Sequence, residues 1–338
     1  MENENKTNEL EQVEEKEEVV EEKGDEAVEE TPVEEVEPIS YSSSFLENIE
    51  TERAKFLKIY KVQNTLKWVV SALCIALVIF ACIFVPNLNL GSPTGTVLMV
   101  SILVGALAGT ILYSVFSRKS IQKKMHAYFD SYYENVNHFV FDKKEITNLK
   151  AQFPGKIEPV AFTDNNLYKD VIDVGSRGLT EFEYDSVPVA VVDCAASVRK
   201  EKRVVPVYVG KYLFAASNYQ YDEPTYVYFK GDKRALPPTN LDGVKDVLDD
   251  KKMIIYSNNK DWKKVISPEV KKILQKIEMN KELVDLSISL QKGRIFVCMG
   301  YDDPLMVLPL QNQFDPKPTE IFKKDVYNVL DLIKEFNK

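Results

Sequence analysis

Histidine is nearly absent from this chain: there are two, His126 and His138, in 338 residues. They stand twelve residues apart in one helical stretch, too far for a shared metal on a single helix. They are also remote in sequence from any nucleophile that would need them as a base. Cysteine is scarce as well. Cys74, Cys82, Cys194 and Cys298 all lie in apolar segments, and no CxxC occurs. That pattern excludes a paired four-thiolate zinc site and points to a reducing compartment, not a disulfide framework. No GxxxxGK[ST] loop is present, and GSRG at Gly175–Gly178 lacks the lysine and spacing to cradle phosphate. It reads as a turn between strands. No cofactor and no metal is expected.

Charge is missing from two long runs. Trp68–Val85 is 18 residues without a charged side chain, and Val97–Phe116 is 20. Each is long enough to cross a hydrocarbon core of about 30 Å as a helix. The connection PNLNLGSPTG suits a tight turn. The first run lies too deep in the sequence, behind an acidic stretch, to read as a cleaved signal. Arg53, Lys55, Lys58, Lys61 and Lys67 precede the first run, and Arg118, Lys119, Lys123 and Lys124 follow the second. The loop between is uncharged, so the positive-inside rule puts both termini in the cytoplasm of a multi-pass membrane protein. Spans at 67–86 and 96–116 are expected.

Ser101, Gly105 and Gly109 repeat every four residues in the second run, a stripe that admits a close helix neighbour. The first span, through Ala72 and Ala76, is the expected neighbour; a second copy of the chain is the other candidate.

Acidity is concentrated. Residues 1–38 hold 17 carboxylates against three lysines; removing that −14 from the total of −9 leaves the rest at +5. Residues 1–40 read as a disordered acidic tail. RKEKR at Arg199–Arg203 and the run Lys260–Lys281 are basic stretches that it could cover, although Asp261, Glu269, Glu278 and Glu282 make the second resemble an ordinary solvated face.

Residues 41–66 form an expected juxtamembrane helix. At 117–150 the spacing of Ile121, Met125, Tyr128, Tyr132, Val136 and Phe139 predicts an amphipathic neck helix, about 45 Å long if it reaches Leu149. The two should pack together. Residues 151–338 switch to β-branched and alternating runs, with predicted strands at Lys156–Phe162, Leu167–Val174, Glu181–Val198, Val204–Ala215 and Thr225–Phe229. Ser267-Pro268 opens a helix, Gln291–Arg294 turns a hairpin, and Glu320–Phe336 is a terminal amphipathic helix. The fold class is therefore a two-helix transmembrane hairpin with long amphipathic helices beside it and a cytoplasmic α+β domain on an antiparallel sheet.

The paired spans ahead of a mixed domain, the stretch Leu167–Ala196 with FEYDSVPVAVVD, the block IIYSNNKDWKKVISPEVKKILQKI, the hairpin LSISLQKGRIFVCMG and the segment LPLQNQFD together resemble the bacterial family known as domain of unknown function 3137. The likeness covers residues 45–338. It implies a membrane-anchored bacterial protein and brings no catalytic residue.

Tyr208, Lys211, Tyr212 and Phe214 could form a base-stacking platform, but +5 over 300 residues is weak electrostatics for nucleic acid, and no nucleic-acid partner is expected. Lys260, Lys263, Lys264, Lys271 and Lys272 could touch anionic lipid. The reading that results is a non-catalytic module tethered to the membrane, binding the inner leaflet or an unidentified protein, with self-association through the second span as a further option. The alternative is a membrane-associated enzyme using Asp193, Asp302 or Asp303, although Asp302-Asp303-Pro304 after Gly300 is a strong turn signal.

Overall fold

A computed structural model describes residues 43–88, 92–231, 243–279, 281–302, 310 and 312–338. The acidic tail, Pro237, Pro238, Asp303 and, within the LPLQNQFD segment, Leu308, Pro309 and Gln311 lie outside these residues.

Two helices dominate the first part: α1, Ser43–Phe84, and α2, Ser92–Val140. Each joins a long apolar run to an amphipathic stretch without a break. Both are long and apolar enough to cross a membrane, and their apolar halves are exposed. The connection is tighter than its ten residues imply: Val85–Leu88 makes one 3₁₀ turn, and Ser92–Gly95 is already helical, with Pro93 tolerated in the first turn. Their amphipathic halves pack together. Phe56 stacks on Tyr128 at 5.1 Å, Phe45 stacks on Phe139 at 4.5 Å, and Gln63 donates to Ser120 Oγ at 3.3 Å.

α2 ends at Val140, nine residues before the predicted stop. From Ile146 the chain is strand β1, Ile146–Gln152. There the apolar face of the helix gives way to DKKE, and a turn follows.

The remaining strands are β2 (Val171–Tyr184), β3 (Val187–Lys200), β4 (Arg203–Ala216), β5 (Thr225–Phe229), β6 (Asp246–Asp249), β7 (Met253–Ser257), β8 (Leu283–Gln291) and β9 (Arg294–Tyr301). With β1 they form one nine-stranded antiparallel sheet in the order β1-β2-β3-β4-β9-β8-β5-β7-β6. Among the described residues four helices complete the domain: α3 (Pro159–Thr163), α4 (Trp262–Val265), α5 (Pro268–Lys276) and α6 (Lys317–Phe336). Ser267 caps α5, its Oγ accepting from Val270 N at 3.2 Å.

Three local expectations are corrected. The stretch predicted as a strand at Lys156–Phe162 contains α3, because Pro159 withholds a ladder donor and starts a helical turn instead. GSRG is not a turn but the middle of β2, with a bulge between Ser176 and Gly178. The turn falls instead at Asp185-Ser186, so the stretch Glu181–Val198 predicted as one strand is the end of β2 and most of β3. Both turn residues have positive φ (48° and 68°), as a two-residue hairpin requires. Gly178 is needed for close approach: a Cβ there would overlap the Tyr133 ring of α2.

The sheet has two covered faces. On one, Phe182, Val191, Leu213, Ile288 and Val297 pack with Ile49 and Phe56 of α1, Tyr132 and Val136 of α2, Leu274 of α5 and Phe322 of α6. The helices that lead from the apolar runs are thus part of the core, not appendages to it. On the other face, Phe162, Leu167 and Tyr168 cover Val192, Tyr212, Tyr228 and Cys298.

Registers give the sheet a lower end, where α2 finishes, and an upper end, toward the apolar halves of α1 and α2. The turns at Asp185-Ser186, Ser217–Tyr219 and Lys292-Gly293 share the lower end. The β3–β4 turn at Glu201-Lys202 and the ends of β1 and β9 lie above.

Candidate functional site

One row of residues runs in register across all nine strands: Lys150, Glu181, Ala190, Phe214, Phe296, Ser289, Tyr226, Tyr256, Asp246. Its first five members border a groove of about 730 Å³, within the range of ordinary ligand sites. Ala190, Phe214 and Phe296 make an apolar floor. Val160, Ala161 and Asp164 of the α3 segment form the wall, and Val160 is exposed.

That wall is clamped. Tyr212 donates to Ala161 O at 2.7 Å, Gln291 Nε2 donates to Asp164 O at 2.7 Å, and Leu167 N donates to Asn165 Oδ1 at 2.6 Å. The mouth carries charge of both signs: Arg294 meets Asp164 at 3.4 Å, and Lys150 stands opposite Glu181. Such a groove combines an apolar floor with polar flanks. It brings no nucleophile or general base to the floor.

A second cavity, about 380 Å³, sits higher on the helix-covered side. There Asp193 of β3 forms an ion pair with Lys211 of β4, the lysine 4% and the aspartate 15% exposed. The Lys211 ammonium also lies 4.9 Å from the centre of the Phe322 ring. Nearby, Tyr301 donates to Asp325 Oδ2 at 3.1 Å; burial raises the Asp325 carboxyl to about 6. Thr180 donates to Asn137 Oδ1 at 2.8 Å, tying α2 to β2. These polar groups are satisfied by one another inside the junction of neck and sheet, which suits a structural role.

Under α3 a third polar group is buried: the Tyr168 hydroxyl donates to Asp285 Oδ2 at 3.1 Å. Burial drives the Tyr168 phenol and the Cys298 and Cys194 thiols well above their ordinary ranges. Both cysteines are free and protonated, the opposite of an activated thiolate.

The residues singled out by sequence are dispersed. Ser101, Gly105 and Gly109 face outward from α2, and a Cβ on either glycine would meet nothing within 4 Å. The expected filling of that stripe by the first span does not occur; Leu103, Ala106 and Thr110 take the side toward Ser71, Cys74 and Val78.

Lys260, Lys263 and Lys264 follow the lower end of β7, so they stand at the end of the sheet away from the apolar helix halves. Lys264 pairs with Asp261 at 2.9 Å, and Lys271 and Lys272 fall in the middle of α5, which opens just after that pair in the chain, at Ser267-Pro268. Asp193 is engaged by Lys211. Asp302 is exposed at the end of β9, and Asp303 lies outside the described residues. Tyr208 and Tyr212 are buried under α3, while Lys211 points to the opposite face, so they make no stacking platform. His126 and His138 are exposed on α2. Among the described residues no three His, Cys, Asp or Glu side chains gather as a metal site.

The groove escaped sequence reading because its members come from β1, β2, β3, β4, β9 and α3. The exposed Val160 beside Pro159 was its one local signal.

No family model matches this chain, and no curated protein matches it. A crystal structure of the mycobacterial trehalose monomycolate transport factor A, TtfA, aligns with 55% of this chain and 87% of its own, at 11% identity and a TM-score of 0.34. A likeness of that size carries no weight for the fold or the function of this chain.

Proposed function

We propose that the chain is a membrane-tethered, non-catalytic binding module of the domain of unknown function 3137 family. In this reading the apolar halves of α1 and α2 cross a bacterial cell membrane as a hairpin. Both termini are cytoplasmic, and the nine-stranded domain is held at the inner face. The groove floored by Ala190, Phe214 and Phe296 takes an extended apolar segment of a protein partner.

The observation that carries this reading is the placement of a preformed apolar groove on a sheet whose other face is fused to the two long helices. A binding surface so mounted keeps a fixed distance from the bilayer. Basic residues flanking both apolar runs and none between them support the cytoplasmic orientation. The outward stripe Ser101, Gly105, Gly109 is free of intramolecular cover, which favours a second copy of the chain as its neighbour.

The test is purification of the full chain from its native membrane in mild detergent, in parallel with Ala190→Trp, which fills the groove. A stoichiometric protein partner that is lost from Ala190→Trp, with the thermal unfolding of the variant unchanged, supports the module. A partner retained by the filled groove, or turnover by the purified chain that Asp302→Asn abolishes, overturns it.

A further inference from the structure

The upper part of β2, β3 and β4 extends past its neighbours. β1 ends at Gln152, opposite Leu179, and β9 ends at Tyr301, near Val209. Beyond those points three strands continue alone, and they finish in the turn Glu201-Lys202. Arg199, Lys200, Lys202 and Arg203 surround that turn against one carboxylate, Glu201. All five are exposed, and none of the four cations makes an ion pair among the described residues. Apolar side chains are exposed beside them: Val204 at 59% and Ile172 at 50%.

The register fixes where this tip points. Along α2 and the residue that follows it, Phe141 packs at a tilt against Phe182 with ring centres 4.6 Å apart, Asn137 accepts from Thr180, and Tyr133 lies over Gly178. The eight-residue step from Tyr133 to Phe141 thus matches the four-residue step from Gly178 to Phe182, about 12 Å against about 13 Å, so α2 and β2 run parallel and nearly aligned, while β3 climbs the opposite way. From Tyr133 the helix climbs to Arg118, the first cation after the apolar run, over about 22 Å. From Asp193, the partner of Gly178, β3 climbs to Lys200 over about 23 Å. The tip therefore stands level with the boundary between the basic and apolar parts of α2.

We infer that the β3–β4 tip docks on the anionic headgroups of the leaflet that α2 enters, with Arg199, Lys200, Lys202 and Arg203 on the phosphates and Val204 and Ile172 in the interface. Each cation near such a surface contributes about a fivefold gain in partitioning. Two features favour lipid over another occupant. The cations sit at the height of the interface, and the apolar residues beside them have no protein cover. The inference rests on the reading that the helices cross the bilayer, and its test separates the two.

The full chain is reconstituted in nanodiscs of phosphatidylcholine alone or of equimolar phosphatidylcholine and phosphatidylglycerol, each with brominated acyl chains. Val204→Trp, in a background of Trp68→Phe and Trp262→Phe, reports contact. The expected result is a blue-shifted emission quenched in the anionic discs alone. Arg199→Glu, Lys200→Glu, Lys202→Glu and Arg203→Glu together should lower the docked fraction on the order of a hundredfold or more. Emission that is unquenched in both discs, or quenched equally in both, overturns the inference. So does quenching seen only after deletion of residues 2–38, because the tail would then occupy the tip. Alkaline carbonate extraction tests the spans separately: release of the chain would defeat the spanning reading whatever the tip does.

Discussion

Asp193 faces Lys211 because Val207 is an extra residue in β4. From the turn outward, Lys200 pairs with Arg203 and Ser197 with Pro206; then Ala196 pairs with Tyr208, leaving Val207 without a partner. Without that bulge Asp193 would stand opposite Gly210, and Lys211 would turn to the other face of the sheet. Pro206, which has no N–H to give a ladder, sits where the slip occurs.

A buried pair of this kind is costly to break and cheap to replace. Lys211→Met should lower the unfolding free energy by about 3–5 kcal/mol, since Asp193 is left charged and unpaired. Lys211→Met with Asp193→Leu should recover most of that loss. Chemical denaturation of the three proteins checks this, and a double variant as unstable as the single one would count against the pair as the cause.

The Asp325 carboxyl gives a pH signature. Its folded pKa of about 6 exceeds its ordinary 3.8, burial outweighing the hydrogen bond from Tyr301 and the field of Lys324, with Glu282 adding to the rise. A raised carboxyl stabilises the fold below its unfolded pKa, and that stability drains away as pH rises through the folded one. Relative to Asp325→Asn, the native chain should therefore lose about 3 kcal/mol between roughly pH 4 and pH 6. Parallel denaturant titrations across that window would show it; curves that stay a constant distance apart would not fit.

Gly178 is the notch in which Tyr133 rests. Gly178→Ala should cost about 1–3 kcal/mol by overpacking, and the cost should shrink in a Tyr133→Ala background. Thermal unfolding of the four proteins in one detergent gives the coupling; strict additivity would place the strain elsewhere.

The outward glycine stripe predicts a contrast. Gly105→Leu should leave the stability of the isolated chain within about 0.5 kcal/mol of native, since no intramolecular neighbour is displaced. It should abolish self-association if a second copy uses that face. Sedimentation in detergent reads the second effect and denaturation the first.

How much of this was legible depends on the range of the interactions involved. The two long helices, the charged β3–β4 turn, the Ser267 cap and the Lys292-Gly293 hairpin are local signals, written in contiguous residues. The end of α2 at Val140 was not legible, because Ile146 and Leu149 keep a helical spacing while their side chains serve a strand beside β2. β2 was misread because Gly178 answers to Tyr133, nearly fifty residues away, and not to a turn. Lys211 within YVGKYLF and Asp193 within VVDCAA were each odd in an apolar strand. Only the bulge at Val207 turns the two oddities into a pair. The groove left only the exposed Val160 as a local trace, since its floor meets through strand register and its wall through contacts distant in sequence.

The sheet ends on β1 and β6, and these two margins bear on crowding. Proteins held in a bilayer meet in two dimensions with their domains already aligned, so an open strand edge would recruit its like into a growing ribbon. β6 is four residues long, begins and ends in aspartate, and breaks its pairing with β7 between Asp246 and Leu248. β1 is kinked between Thr147 and Lys150, where Asn148 adopts positive φ, and Lys150 lies on that margin. Short, irregular and charged, both margins discourage a second sheet from joining, so neighbouring copies of this chain can crowd together without zipping into one ribbon.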